Sequence, residues 1–107
     1  MEDDKMIVIL ITTGTDKEAQ RIADVLLKHR RAACVNIVPT VSSWFWWEGK
    51  IESDRECLLI VKTKASALEE LVSLVREVHS YDVPEIIALP ILGGNPDYLD
   101  WIAKEVK

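Results

Sequence analysis

The segment around residues 79–85 carries the side chains best suited to metal chemistry. His79 is followed at close spacing by Tyr81, Asp82 and Glu85, which offer an imidazole, a phenol and two carboxylates. Imidazole and carboxylate together suit Cu(II) or Zn(II), and the Irving-Williams order favours copper. No second histidine lies three or four residues away, and His29 belongs to another segment. Spacing alone therefore favours His79 as a helix-end cap or hydrogen-bonded surface residue, with the role of ligand left open.

The two cysteines, Cys34 and Cys57, are too far apart in sequence for the CxxC spacing of metal or redox sites. The hairpin register described below does not place them opposite each other. We therefore expect two reduced thiols, and burial in the core is the first interpretation of each.

Four of the seven aromatic residues form one run, Trp44, Phe45, Trp46 and Trp47. Large aromatic side chains at a projecting position are enriched at protein interfaces, and their alternation suggests that one face meets the home sheet and the other a neighbour. Core packing within the monomer is the alternative. A platform for stacking bases is disfavoured, because acidic residues outnumber basic ones nearby.

The motifs of known catalytic sites are missing from the sequence. It contains no G-x-S-x-G, H-E-x-x-H, Walker or G-x-G-x-x-G pattern, and Gly93-Gly94-Asn95 is the nearest approach to a phosphate-binding turn. Nothing pairs two carboxylates for acid and base catalysis. The sequence predicts no enzyme and no organic cofactor.

The elements that must position these side chains follow from the hydrophobic pattern. An uninterrupted β-branched run at 6–11 predicts a central strand, and apolar stripes after T-x-x-E and S-x-x-E capping boxes predict helices at about 16–31 and 66–79. Strands are expected at 33–47, with an interruption at Pro39, at 50–63 and at 85–91. Asn95-Pro96 begins a last helix.

Glu48 and Gly49 predict a tight reversal between the second and third strands. With these as the two loop residues, Trp47 opposes Lys50, Trp46 opposes Ile51 and Phe45 opposes Glu52. The same register places Cys57 opposite Thr40, and a bulge at Pro39 would shift that pairing by one residue.

The order βαββαβ plus a terminal helix predicts one α+β domain over residues 1–107, a ferredoxin-like sandwich with an extended β-hairpin and an extra C-terminal helix. Both helices of such a sandwich lie on one side of the sheet. The first strand is apolar on both faces, so we expect a partner subunit to cover the other side. Residues 1–5 are expected to be frayed.

The charge balance excludes some classes of partner. The 107 residues carry a formal net charge of -5, so the average surface repels phosphate backbones and anionic lipid. The longest apolar run is far shorter than the ~20 residues of a membrane span. We expect a cytoplasmic protein with no nucleic-acid or membrane partner.

Several ordered segments resemble the CutA-type divalent-cation tolerance proteins. They are residues 33–37 (ACVNI), 46–52 (WWEGKIE), 59–63 (LIVKT), 79–91 (HSYDVPEIIALPI) and 98–101 (YLDW). The resemblance implies a ferredoxin-like subunit in a tight cytoplasmic homotrimer that is linked to cation tolerance, with copper binding in some members. It also implies an architecture similar to the PII signalling proteins.

The resemblance suggests two hypotheses of function. In the first, a trimer binds or responds to metal ions weakly, with His79, Tyr81, Asp82 and Glu85 near an inter-subunit cleft and Cys34 as a thiol ligand. Family members proposed to bind copper carry further ligands where this chain has Ile11 and Val78, which leaves the set incomplete here. In the second, the trimer is a PII-like small-ligand sensor whose pocket uses Lys62 to bind an anion. An unknown protein partner is a third option.

Overall fold

A computed structural model describes residues 4–107. The strands are β1 (Met6–Thr13), β2 (Cys34–Trp47), β3 (Lys50–Lys64) and β4 (Ile86–Pro90), and the helices are α1 (Asp16–Lys28), α2 (Leu68–Val78) and α3 (Pro96–Glu105). One four-stranded sheet has the order β2-β3-β1-β4, and each neighbouring pair is antiparallel. This is the predicted ferredoxin-like α+β arrangement, with the extra helix α3 at its end.

Helix α1 begins as the sequence predicts and ends earlier. The Thr15 side chain accepts a hydrogen bond from the Glu18 amide at 3.1 Å, which is the first half of a capping box. The helix stops at Lys28 instead of residue 31, because Arg30 has a left-handed backbone conformation with φ of 57°. His29 caps this end, and its Nδ1 lies 2.9 Å from the Val25 carbonyl oxygen.

The capping box predicted for α2 is wrong. A short 3-10 turn, Ala65–Ala67, precedes the helix, and no side chain caps it. Ser66 instead donates from its amide and its hydroxyl to the Asp4 carboxylate, and the Ala65 amide donates to the Lys5 carbonyl at 2.7 Å. Residues 1–5 were expected to be frayed, but Asp4 and Lys5 make these hydrogen bonds. Residues 1–3 lie outside the described part of the chain.

The hairpin between β2 and β3 has the predicted register. Trp47 pairs with Lys50, Trp46 with Ile51 and Phe45 with Glu52. The register shifts between Val38 and Val41, so β2 continues through Pro39 with a bulge, as this proline indicated. Cys57 faces this bulge and donates its thiol hydrogen to the Pro39 carbonyl oxygen at 3.2 Å.

The core lies between the sheet and helices α1 and α2. Alternate residues of the central strands point into it, and Ile9, Ile11, Leu59 and Val61 are fully buried there. A second, smaller cluster joins α3 to the 3-10 turn at one end of the sheet. The opposite face of the sheet is apolar and only half-buried or exposed, as the sequence predicts; it carries Val8, Leu10, Val38, Leu58, Ile60, Ile87 and Leu89.

Candidate cation-binding groove

A groove of about 750 Å³ lies between the β2–β3 hairpin and the loop that joins α2 to β4. The loop side contributes Tyr81, Asp82 and Glu85, three of the predicted metal ligands. The hairpin side contributes three of the predicted interface aromatics, Trp44, Phe45 and Trp47. The chain therefore brings these two predicted groups together in one concave surface, which we call the hairpin groove.

Three carboxylates that the sequence did not single out also line the hairpin groove. Glu52, Asp54 and Glu56 occupy alternate positions of β3, so their side chains share one face of the strand. In the sequence they stand out only as negative charges that disfavour nucleic acid. Their i, i+2, i+4 spacing beside the aromatic run was the signal that could have found them.

Tyr81 connects the two sides of the groove. Its hydroxyl donates a hydrogen bond to Glu56 Oε2 at 2.7 Å. Burial raises the pKa of Tyr81, and the hydrogen bond to Glu56 and the negative charges of Glu56, Asp54 and Glu18 raise it further. The phenol therefore stays protonated and serves as a donor that fixes the loop to β3.

His79 lies beneath the loop with its side chain fully buried. Nε2 is 2.7 Å from the Thr12 carbonyl oxygen, to which it must donate, and Nδ1 accepts the Tyr81 amide at 3.0 Å. A neutral ring protonated on Nε2 satisfies both contacts. The one nitrogen lone pair of that ring is therefore already engaged, and His79 does not face the groove.

Glu18, on helix α1, hydrogen-bonds to the start of the loop that joins α2 to β4. Its carboxylate accepts the Ser80 amide at 2.6 Å and the Ser80 hydroxyl at 3.1 Å, and the Gly14 amide at 3.4 Å. Burial alone would raise the pKa of Glu18, but the hydrogen bonds from Ser80 and from the Gly14 amide lower it overall. This ionised carboxylate joins the start of α1 to the end of α2.

Cys34 and Lys62 lie elsewhere on the sheet. They pair with each other across β2 and β3, and Lys62 Nζ donates to the Asn36 side chain beside them. Lys62 follows Glu56 by six residues along β3, a separation of roughly 20 Å. Within one subunit, Cys34 is therefore not brought to the other predicted metal ligands.

The aromatic run divides between the two faces of the hairpin. Trp44 and Trp46 are 74% and 72% exposed on one face, and Phe45 and Trp47 are 40% and 56% exposed on the other. The longest dimension of the molecule is 46 Å, against 26 and 24 Å for the others, because the hairpin projects beyond the helices. Exposed rings of this size are typical of surfaces that meet another molecule.

The donors described above do not form a ready metal centre. Among residues 4–107, no three His, Cys, Asp or Glu side chains come close enough together to hold a metal ion. Over the same residues, no helix is long and apolar enough to cross a membrane. Both thiols, Cys34 and Cys57, are free.

The sequence profile of CutA1 divalent ion tolerance proteins matches residues 7–105. The chain belongs to the CutA1 family. It is 46% identical to the chloroplastic protein CutA 1 of Oryza sativa over 94% of its own length and 57% of that protein. It is 48% identical to the divalent-cation tolerance protein CutA of Thermus thermophilus, over 89% of this chain and 92% of that one. The chain thus spans little more than half the length of the plant relative.

Solved CutA structures have the same fold. The crystal structure of CutA1 from Oryza sativa superposes with a TM-score of 0.93 at 46% identity, covering 96% of this chain and 94% of that one. The structure of the periplasmic divalent cation tolerance protein CutA from Archaeoglobus fulgidus gives 0.92 at 45% identity, covering 95% and 99%. The family is named for tolerance of divalent cations. The Oryza sativa relative is named chloroplastic, and the Archaeoglobus fulgidus protein is named periplasmic.

Proposed function

We propose that this CutA1 protein acts in tolerance of divalent cations as a homotrimer that binds Cu(II) weakly and catalyses no reaction. The observation that carries the proposal is the hairpin groove, whose lining includes the phenol of Tyr81 and five carboxylates, Glu52, Asp54, Glu56, Asp82 and Glu85. Oxygen donors and negative charge attract cations, and none of the described residues that line the groove is a lysine or arginine.

The local geometry supports weak binding over tight binding. His79 can ligate a metal through Nδ1 only after this atom gives up the Tyr81 amide, whose hydrogen bond then has to be replaced. A tight tetrahedral site needs four good nitrogen or sulfur donors, and Cys34 lies at the far part of the sheet. Ligands from another subunit are needed to complete such a site.

The trimer is proposed from the exposed apolar surfaces. The uncovered sheet face and the aromatic residues of the hairpin, Trp44, Phe45, Trp46 and Trp47, would lose contact with water in such an assembly. A cytoplasmic location is proposed with it, supported by the two free thiols.

The alternative of a PII-like anion sensor has less support. Lys62 hydrogen-bonds to Asn36 outside the hairpin groove, and the groove itself is acidic. A small anion would be repelled there.

Calorimetric titration of Cu(II) and Zn(II) tests the metal proposal. We expect copper to bind more strongly than zinc, with a dissociation constant of about 1 μM or weaker. A metal that takes Nδ1 in place of the Tyr81 amide gains its one nitrogen ligand from His79, so His79→Ala should remove most of the binding, and the control His29→Ala should retain it. Circular dichroism of both variants checks that the fold is intact. Equal copper affinity in the wild type and the His79→Ala variant would contradict the role of His79.

A further inference from the structure

His79 is held in the orientation of a metal-ligating histidine, but the nitrogen that would face the metal is covered. Histidine ligands usually donate their other ring N–H to a carbonyl or carboxylate, which fixes the ring. In this chain Nε2 makes that contact with the Thr12 carbonyl oxygen at 2.7 Å, so Nδ1 is the nitrogen left for a metal. The Tyr81 amide occupies Nδ1 at 3.0 Å. A neutral imidazole has one nitrogen lone pair, so Nδ1 cannot accept this amide and bind a metal ion at the same time.

Further contacts of Tyr81 and Ser80 hold this amide in place. The Tyr81 hydroxyl donates to Glu56 Oε2 at 2.7 Å, and the Tyr81 ring packs on the His79 ring with centroids 4.7 Å apart. Ser80 is bound to Glu18 through its amide at 2.6 Å and through its hydroxyl at 3.1 Å. The consecutive amides of Ser80 and Tyr81 are therefore both engaged. The Tyr81 amide can leave Nδ1 only if this part of the loop moves.

Such a movement would free donor atoms that the closed arrangement occupies. Nδ1 lies 3.7 Å from Glu18 Oε2, so a cation bound to this nitrogen would have a carboxylate beside it. The same movement would release Glu56 from the Tyr81 hydroxyl. All of these contacts lie within one subunit and none involves the hairpin aromatics, so they are compatible with a neighbour that covers those aromatics.

We propose that Tyr81 and Ser80 form a latch that closes His79 to metal, and that copper binding opens it. The latch rests on the proposed function, because it acts on copper binding at His79. When only a fraction of the molecules is competent to bind, the apparent affinity is reduced by that fraction. The competent state here is the one in which the Tyr81 amide has left Nδ1. Tyr81 is thus a positioning residue whose hydroxyl lowers the affinity for copper.

Calorimetric copper titration of Tyr81→Phe distinguishes a latch from a ligand. The variant loses the hydroxyl contact with Glu56 and should bind copper about threefold to tenfold more tightly, whereas loss of a ligand would weaken binding. Tyr98→Phe is the matched control, because it removes a phenol on α3, and it should bind copper as the wild type does. The double variant His79→Ala, Tyr81→Phe should bind no better than His79→Ala. A gain that persists without His79 would overturn the latch.

Ser80→Ala tests the other half of the latch. It removes the hydroxyl contact with Glu18 and should raise copper affinity about twofold to fivefold. Equal copper affinity in the wild type, Tyr81→Phe and Ser80→Ala would overturn the latch and leave copper binding intact. Copper binding by none of these proteins would contradict the proposed function, and the latch with it.

Hydrogen exchange of the whole protein, measured by mass spectrometry with and without copper, follows the loop directly. A ligand that binds a preformed site slows exchange of the amides around it. Opening of the latch should instead make the amides of residues 79–85 exchange faster when copper is bound. Slower or unchanged exchange in this segment would overturn the proposal.

Discussion

At the scale of single residues, Glu18 is the side chain that fixes the loop of the hairpin groove from behind. It is 13% exposed, it accepts hydrogen bonds from both groups of Ser80, and it lies 3.7 Å from His79 Nδ1. His79 in turn orients Tyr81 through the amide contact. Glu18 on helix α1 thus contacts Ser80 and His79, and His79 contacts Tyr81, which lines the groove. These contacts connect α1 to the groove.

Glu18→Gln should destabilise the protein at neutral pH and not in acid. The pKa of Glu18 is lowered on folding below its ordinary value of 4.5, so its ionised form stabilises the fold above that pH. This stabilisation is lost as the pH falls through the lower pKa of the folded state. We expect the variant to be less stable by about 1 to 2 kcal/mol at pH 7, with a difference that shrinks as the pH falls below 4.5.

Urea unfolding at pH 7 and at about pH 3.5 measures this effect. Glu77→Gln is a matched control, since Glu77 is an exposed carboxylate on α2. A Glu18 variant that matches the wild type at pH 7 would show that the negative charge of Glu18 does not contribute to stability.

The candidate site was predictable from the sequence only in part. Tyr81, Asp82 and Glu85 are close in the chain, so a short loop was bound to bring them near one another. The engagement of both His79 nitrogens was not predictable, because it depends on the Thr12 carbonyl from a distant strand. Cys34 was included through the family resemblance, and the strand register separates it from the loop.

At the scale of elements, the β2–β3 hairpin depends on a turn with two left-handed residues. Glu48 has φ of 51° and Gly49 has φ of 79°, which is the conformation of a type I′ turn. Only glycine adopts this conformation without strain from a Cβ atom. The turn sets the register, and the register places Phe45 opposite Glu52 in the groove.

Gly49→Ala should lower the free energy of unfolding by about 1 kcal/mol, because alanine is strained at a positive φ. An added Cβ meets no atom within 4 Å at Gly49, so the effect is one of backbone conformation alone. Gly93→Ala is the control, since a Cβ there also meets nothing within 4 Å and φ is not in the left-handed range. Thermal unfolding of both variants compares them. Equal melting temperatures would exclude strain at the turn.

The elements were more predictable than their ends. The hairpin register followed from one glycine-containing turn and the period of two along a strand, which are local rules. The S-x-x-E pattern before α2 gave a wrong cap because Asp4, 62 residues away, takes the Ser66 hydrogen bonds. Helix α1 ended early at Arg30, whose conformation is uncommon for a residue other than glycine.

At the scale of the whole molecule, one surface is apolar where a stable monomer would be polar. The sheet face opposite the helices carries a continuous set of aliphatic side chains, and the tip of the hairpin adds exposed tryptophans. Contiguous apolar surface of this kind is rare on monomers and is typical of an interface between subunits. Closed symmetry would allow identical copies to cover it on each other.

Trp46→Ala tests whether this surface is covered in solution. Trp46 is 72% exposed on the hairpin face away from the groove, so its loss should hardly affect an isolated subunit. In the proposed trimer the ring is buried against a neighbour, and its truncation should weaken assembly by about 2 to 4 kcal/mol. Light scattering over a dilution series should give three times the chain mass for the wild type, and the variant should dissociate at a higher protein concentration than the wild type.

Leu92→Ala, which shortens a fully exposed apolar side chain outside the hairpin, serves as the control and should keep the wild-type mass. A folded wild-type monomer at all concentrations would refute the trimer, and identical masses for wild type and Trp46→Ala would place that ring outside the interface.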